Sequence, residues 1–167
     1  MLDFAVLAVF PGIMVFAAIS DLLTMKIPNL ASAVLVAGFF ALALATGMPG
    51  ATIGWHVLAG LLTLVACFVL FNIGWIGGGD AKLAAATSLW LGFGLLPNYG
   101  LFASVFGGLL TIAVLQFRRI KDAGLFKSVW VNRLRDQKVG VPYGIALAAA
   151  GLVVYPDTAI WMAAKAF

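Results

Sequence analysis

The sequence predicts an all-α fold, a polytopic membrane helix bundle of about six transmembrane helices in a single domain over residues 1–167. Three observations predict it. Of 167 residues, 64% are hydrophobic and only 10% are charged, with a mean hydropathy of +1.13, whereas an average soluble domain carries roughly 25% charged residues. The apolar stretches reach the length of about 20 residues that a bilayer crossing needs. Short punctuation of Gly, Pro, Asn or charged residues separates them. Backbone polar groups in lipid must be satisfied within the segment, so each span is expected to be a helix rather than an open strand.

Taken in order, the spans are expected at Leu2 to Ser20, Leu30 to Gly47, Ile53 to Trp75, Ala81 to Leu96, Tyr99 to Phe117 and Val141 to Ala164. The first ends in Ala17-Ala18-Ile19-Ser20, small residues of the kind that precede a signal-peptide cut. A secretory signal opens with a positive region, however, and only Asp3 precedes this run, so it is read as a mature spanning helix. The second begins behind Pro28, whose missing N–H costs nothing in a first helical turn. The third holds Cys67 and His56, the only cysteine and the only histidine. One cysteine forms no intrachain disulfide and no cysteine cluster. With one His and no Glu a metal centre has almost no ligands, so no metal and no cofactor are expected. The fourth span is the shortest and follows three glycines. Gly92, Gly94, Gly107 and Gly108 are small residues that let helices approach closely in lipid. The Trp residues mostly mark span ends, with Trp90 the exception.

Charge sets the expected orientation. Seven of the ten basic residues, Arg118, Arg119, Lys121, Lys127, Arg133, Arg135 and Lys138, crowd the connection between spans five and six. Excess Lys and Arg mark cytoplasmic loops. Six spans then put both termini outside and the loops holding Lys26 and Lys82 inside, leaving only Lys165 on the other face. Anionic headgroups attract such clusters, so membrane lipid, and not nucleic acid, is the partner that the net charge of +4 implies.

All six acidic residues are Asp. Asp3 and Asp157 fall on the expected outer side, and Asp122 and Asp136 lie in the basic connection. Asp21 follows span one and Asp80 precedes span four, so two intervening crossings return the chain to one face and both carboxylates sit at the cytoplasmic boundary. Ionisable groups at such positions are costly and mark functional sites. Two carboxylates brought close cannot both ionise easily and share a proton, which suits a general base and acid working together. One activates a water for attack on a peptide carbonyl, the other steadies the oxyanion, and the proton passes to the leaving amine. Structural roles stand beside this: Asp80, after Gly77-Gly78-Gly79, is well placed for a helix N-cap, and Asp21 for a solvated helix end.

Around these aspartates stand Lys26-Ile27-Pro28-Asn29, then Gly77-Gly78-Gly79-Asp80-Ala81-Lys82-Leu83, then Val141-Pro142-Tyr143-Gly144-Ile145-Ala146-Leu147. Together they resemble the type IV prepilin peptidases, whose Gly-x-Gly-Asp motif is matched by the segment ending at Asp80. The resemblance implies that Asp21 and Asp80 are the catalytic pair of an aspartic endopeptidase in the bacterial inner membrane. It implies a prepilin substrate cut at its basic cytoplasmic leader, typically after a Gly, and pilus-assembly machinery as a possible partner. Long family members carry a cytoplasmic insertion with paired cysteines and methylate the new N-terminus. One cysteine and no room for that insertion make this chain similar to the short form of tight-adherence (Flp) pili.

Supporting roles are expected for the neighbours. Gly77, Gly78 and Gly79 let backbone approach closely. Asn29 orients Asp21 or caps the second helix. Lys82 acts on a carboxylate or on lipid phosphate. Pro142, Tyr143 and Gly144 open span six beside the site, with the Tyr hydroxyl bonding there or anchoring at the interface. Two other readings remain: a different Gly-x-Gly-Asp protease, such as a preflagellin peptidase, or a small transporter or scaffold whose aspartates bind protons or cap helices.

Overall fold

The computed structural model describes residues 2–120 and 128–164, and every regular element among them is helical. Lys121, Asp122, Lys127 and Lys165 lie outside the described residues, as does the side chain of Asp3. The elements are α1 (Leu2–Thr24), α2 (Asn29–Ala45), α3 (Gly50–Asn72), α4 (Gly78–Arg119), α5 (Val129–Arg135), α6 (Gly144–Val154) and α7 (Ala159–Ala164), with a 3₁₀ turn at Tyr155–Asp157. Phe4–Thr24, Gly50–Asn72 and Gly78–Arg119 are long and apolar enough to cross a bilayer; Asn29–Ala45 and Gly144–Asp157 are apolar but shorter.

The expected fourth and fifth spans are joined in α4, but its 42 residues are two helices meeting at Gly92, where φ is 64° and ψ 176°. The segments 78–91 and 93–119 run back to back: Ala84 and Ser88 of the first share a cavity with Tyr99 and Ala103 of the second. A single residue therefore does the work of a loop. Its backbone conformation is nearly confined to glycine, and a Cβ there would lie 3.0 Å from His56 Cε1 and Nε2. His56 Nδ1 donates to Leu89 O at 2.8 Å, so the only histidine is a buried brace for the reversal.

The expected sixth span, Val141 to Ala164, is corrected by the structure. It breaks after Val154 into the 3₁₀ turn and α7, because Pro156 has no N–H to continue the ladder. At 11 residues, α6 is about 16 Å long, short of the bilayer.

The core gathers around Trp90, which is fully buried with Phe10 and Met14 of α1 and Leu35 and Phe39 of α2. Its ring lies 5.1 Å from that of Phe10 and 5.9 Å from that of Tyr155. The indole N–H donates to Leu35 O at 2.9 Å, which lets a tryptophan sit at mid-span rather than at an interface. Tyr155 solves the same problem by donating its hydroxyl to Val6 O at 2.8 Å.

Replacing Gly92 by Ala forces a Cβ into the His56 ring and a disfavoured backbone onto Ala. The expected loss is about 1–3 kcal/mol, read as a lower unfolding midpoint in detergent.

Candidate active site

Three helix ends meet where the aspartates lie. Asp21 occupies the last turn of α1, which closes at Thr24. Behind it, Met25 adopts a positive φ of 55° and its N–H donates to Asp21 O at 2.8 Å. Ser20 and Thr24 hydroxyls donate to Lys26 O, folding the connection tightly beneath the site. Asp80 is the third residue of α4, whose N-cap is Gly77. It is therefore not the N-cap; instead its carboxylate folds back against the Gly77 backbone, the position of the return residue in a capping box. A Cβ on Gly77 would lie 2.8 Å from Asp80 Oδ2, so this contact needs glycine.

The Asp21 carboxylate is buried, at 6% exposure. Its Oδ2 accepts the N–H of Gly144 at 2.8 Å, the first residue of α6. Each aspartate thus sits at a helix N-terminus, Asp80 on α4 and Asp21 against α6, where unpaired N–H groups and the helix dipole favour negative charge. The two carboxylates are within electrostatic reach of one another. They line one cavity of about 270 Å³ with Met25, Lys26, Ile27 and Gly77, Gly78 and Gly79. Asp21 spends one acceptor position on the Gly144 N–H and keeps its other lone pairs for further donors such as water.

The supporting residues divide into two groups. Gly79 and Gly144 both approach Ile27: added Cβ atoms would lie 3.2 Å from Ile27 Cβ and 2.6 Å from Ile27 Cδ1 respectively. Ile27 is thus a wedge between α4 and α6, a role that sequence reasoning did not assign although the residue stands in the Lys-Ile-Pro-Asn motif. Gly78 approaches the Phe71 ring. Pro142 is buried, and the Tyr143 ring rests on the bare backbone of Gly107, where any Cβ would overlap it. Lys82 and Asn29 stand apart. Two residues beyond Asp80, Lys82 points away along the helix, and its Nζ donates to Asn29 Oδ1 at 2.8 Å beside an apolar groove between α2 and α3. Pro28, with φ −62°, is the N-cap of α2, and no side chain caps that helix.

Basic residues collect at this end. Arg133 donates to Leu23 O at 3.0 Å, tying α5 to the end of α1, and Arg118 donates to Leu134 O, Val139 O and Gly140 O.

A model of the type IV leader peptidase family matches residues 8–112, a stretch containing both aspartates, the three glycines, Pro28, Asn29 and Lys82 but not Pro142, Tyr143 or Gly144. No curated protein and no solved structure matches the chain.

Gly144 is the most demanding of the site's glycines, since an added Cβ would also lie 2.9 Å from Asp21 Oδ2. Gly144→Ala is expected to destabilise by about 1–3 kcal/mol through overpacking. Gly100→Ala, in a helix with open space around the added carbon, is expected to gain about 0.5–1 kcal/mol. Paired thermal scans check the contrast.

Proposed function

The chain belongs to the type IV leader peptidase family, and from that premise we propose that it is an aspartic endopeptidase that removes the cytoplasmic leader of Flp-type prepilins. Asp21 and Asp80 are its catalytic pair. The observation that carries the reading is that these two carboxylates, distant in sequence, line one small cavity at one end of the bundle.

The chemistry follows from a pair that holds one proton between them. The ionised carboxylate takes a proton from a water as that water attacks the scissile carbonyl. The protonated one donates to the oxygen that becomes the oxyanion. Collapse of the tetrahedral intermediate breaks the C–N bond, and the proton held by the pair passes to the departing amine. Gly144 N–H holds the Asp21 carboxylate in place throughout, and the bare Gly77 backbone lies against that of Asp80.

The positive-inside rule supports a cytoplasmic setting for this end, because Lys26, Arg118 and Arg133 gather there. The host is then the bacterial inner membrane, and the substrate presents a basic leader on that side, with pilus-assembly machinery as the downstream partner. With Cys67 as its only cysteine, the chain lacks the paired cysteines of the methylating long form, which supports leader removal as its sole reaction.

The test is cleavage of an Flp-type prepilin in membranes holding equal amounts of wild type, Asp21→Asn or Asp80→Asn. Each substitution is expected to lower the rate by about 10²- to 10⁴-fold. Unaltered cleavage by either variant removes the dyad.

A further inference from the structure

A second cavity lies on the membrane side of Asp80. Asp80, Ala84 and Ser88 recur every four residues along one face of α4, and Ala84 and Ser88 line this cavity of about 370 Å³. It is bounded by α3, both segments of α4, and Tyr143 and Leu147 at the start of α6, and it opens outward past Gly100 and Ser104, which are exposed. Tyr143 directly precedes Gly144, whose N–H holds Asp21. The second cavity therefore begins one helical turn beyond Asp80 and beside the residue that precedes Gly144.

This second cavity is rich in hydroxyls for its setting. Thr63, Ser88, Tyr99, Ser104 and Tyr143 all contribute to its wall. Ser88 and Ser104 donate to Ala84 O and Gly100 O, one turn back along their own helices, at 2.8 and 2.7 Å. Each keeps acceptor lone pairs free. Tyr99 is only 5% exposed, and its hydroxyl lies beside Thr87 without a hydrogen bond of normal geometry. Cys67 is another wall residue. A buried hydroxyl without a well-formed hydrogen bond costs stability, and a phenylalanine would fill the same space without that cost.

A peptide bond is open to attack only where the chain is unwound, and an unwound chain in lipid exposes N–H and C=O groups that the protein must satisfy. We propose that the second cavity binds the unwound substrate backbone on the membrane side of the cut bond. The Tyr99 hydroxyl donates to a substrate carbonyl, and the Ser88 and Ser104 oxygens accept substrate N–H groups. This assignment rests on the peptidase reading and adds to it a binding site for the part of the precursor that remains after the leader is removed.

Tyr99→Phe tests it in the full chain in lipid nanodiscs, with an Flp-type prepilin as substrate. Removal of this hydroxyl is expected to leave the unfolding midpoint unchanged or raise it, while kcat/KM falls about five- to tenfold, the worth of one hydrogen bond. A photoreactive residue placed two positions after the cut bond of the same prepilin, bound to Asp80→Asn enzyme, is expected to crosslink to residues 84–104 or to Tyr143. Wild-type rates in Tyr99→Phe, a rate loss that travels with a lower midpoint, or a crosslink confined to the groove between α2 and α3 overturns the proposal. A wild type that cleaves no prepilin removes the peptidase reading and this site together.

Discussion

The hydrogen bond from Gly144 N–H to Asp21 Oδ2 joins residues 123 positions apart, and the site depends on it. It brings the end of α1 against the start of α6, and a carboxylate buried to this degree needs such a partner. The contact is possible only because position 144 carries no side chain. Ile27 then fills the space beside Gly144 and Gly79, which draws the start of α4, with Asp80, to the same point. Helix N-termini, a bare backbone and one aliphatic wedge are enough to hold two carboxyl groups near one another.

The rest of the bundle handles polar groups in the same economical way. Trp90, His56 and Tyr155 each donate to a carbonyl of a neighbouring helix, so buried polar atoms tie helices together where the hydrophobic effect supplies little force between them. Helix α4 separates its duties by face. Asp80, Ala84 and Ser88 look toward the site and the hydroxyl-lined cavity, whereas Lys82, Ala85 and Leu89 look toward the apolar groove between α2 and α3. This is why Lys82, so near Asp80 in sequence, bonds Asn29 and not the aspartates. Gly92 lets the same helix return beside itself, and the hydroxyl-lined cavity between its two segments is a product of that reversal.

Much of this was legible in the residues. A charge content of 10% and a mean hydropathy of +1.13 leave a helical membrane bundle as the available fold, because lipid offers the backbone no partners. Counting crossings puts Asp21 and Asp80 at one end whatever the details of packing, and the scarcity of other acidic groups singles them out. The glycines before Asp80 announce a close approach, and the aspartate's neighbours carry the family resemblance. Where one helix ends and the next begins was less legible: Pro156 divides a stretch whose apolar character alone reads as one span, since hydropathy does not register a missing N–H.

Tertiary structure alone decided the rest. Nothing local says that Gly144 donates to Asp21, that Ile27 separates two glycines, that His56 braces Gly92, or that Tyr99 is buried without a well-formed hydrogen bond. Each depends on atoms contributed by helices far apart in sequence, and periodicity within one helix carries no information about which face of another it will meet. The sequence by itself determined the solvent, the helices and the end of the bundle where chemistry is possible. Only the packed chain decided which backbone groups lie against the carboxylates and which cavities lie near them, because steric fit at a few ångströms is a property of contacts and not of composition.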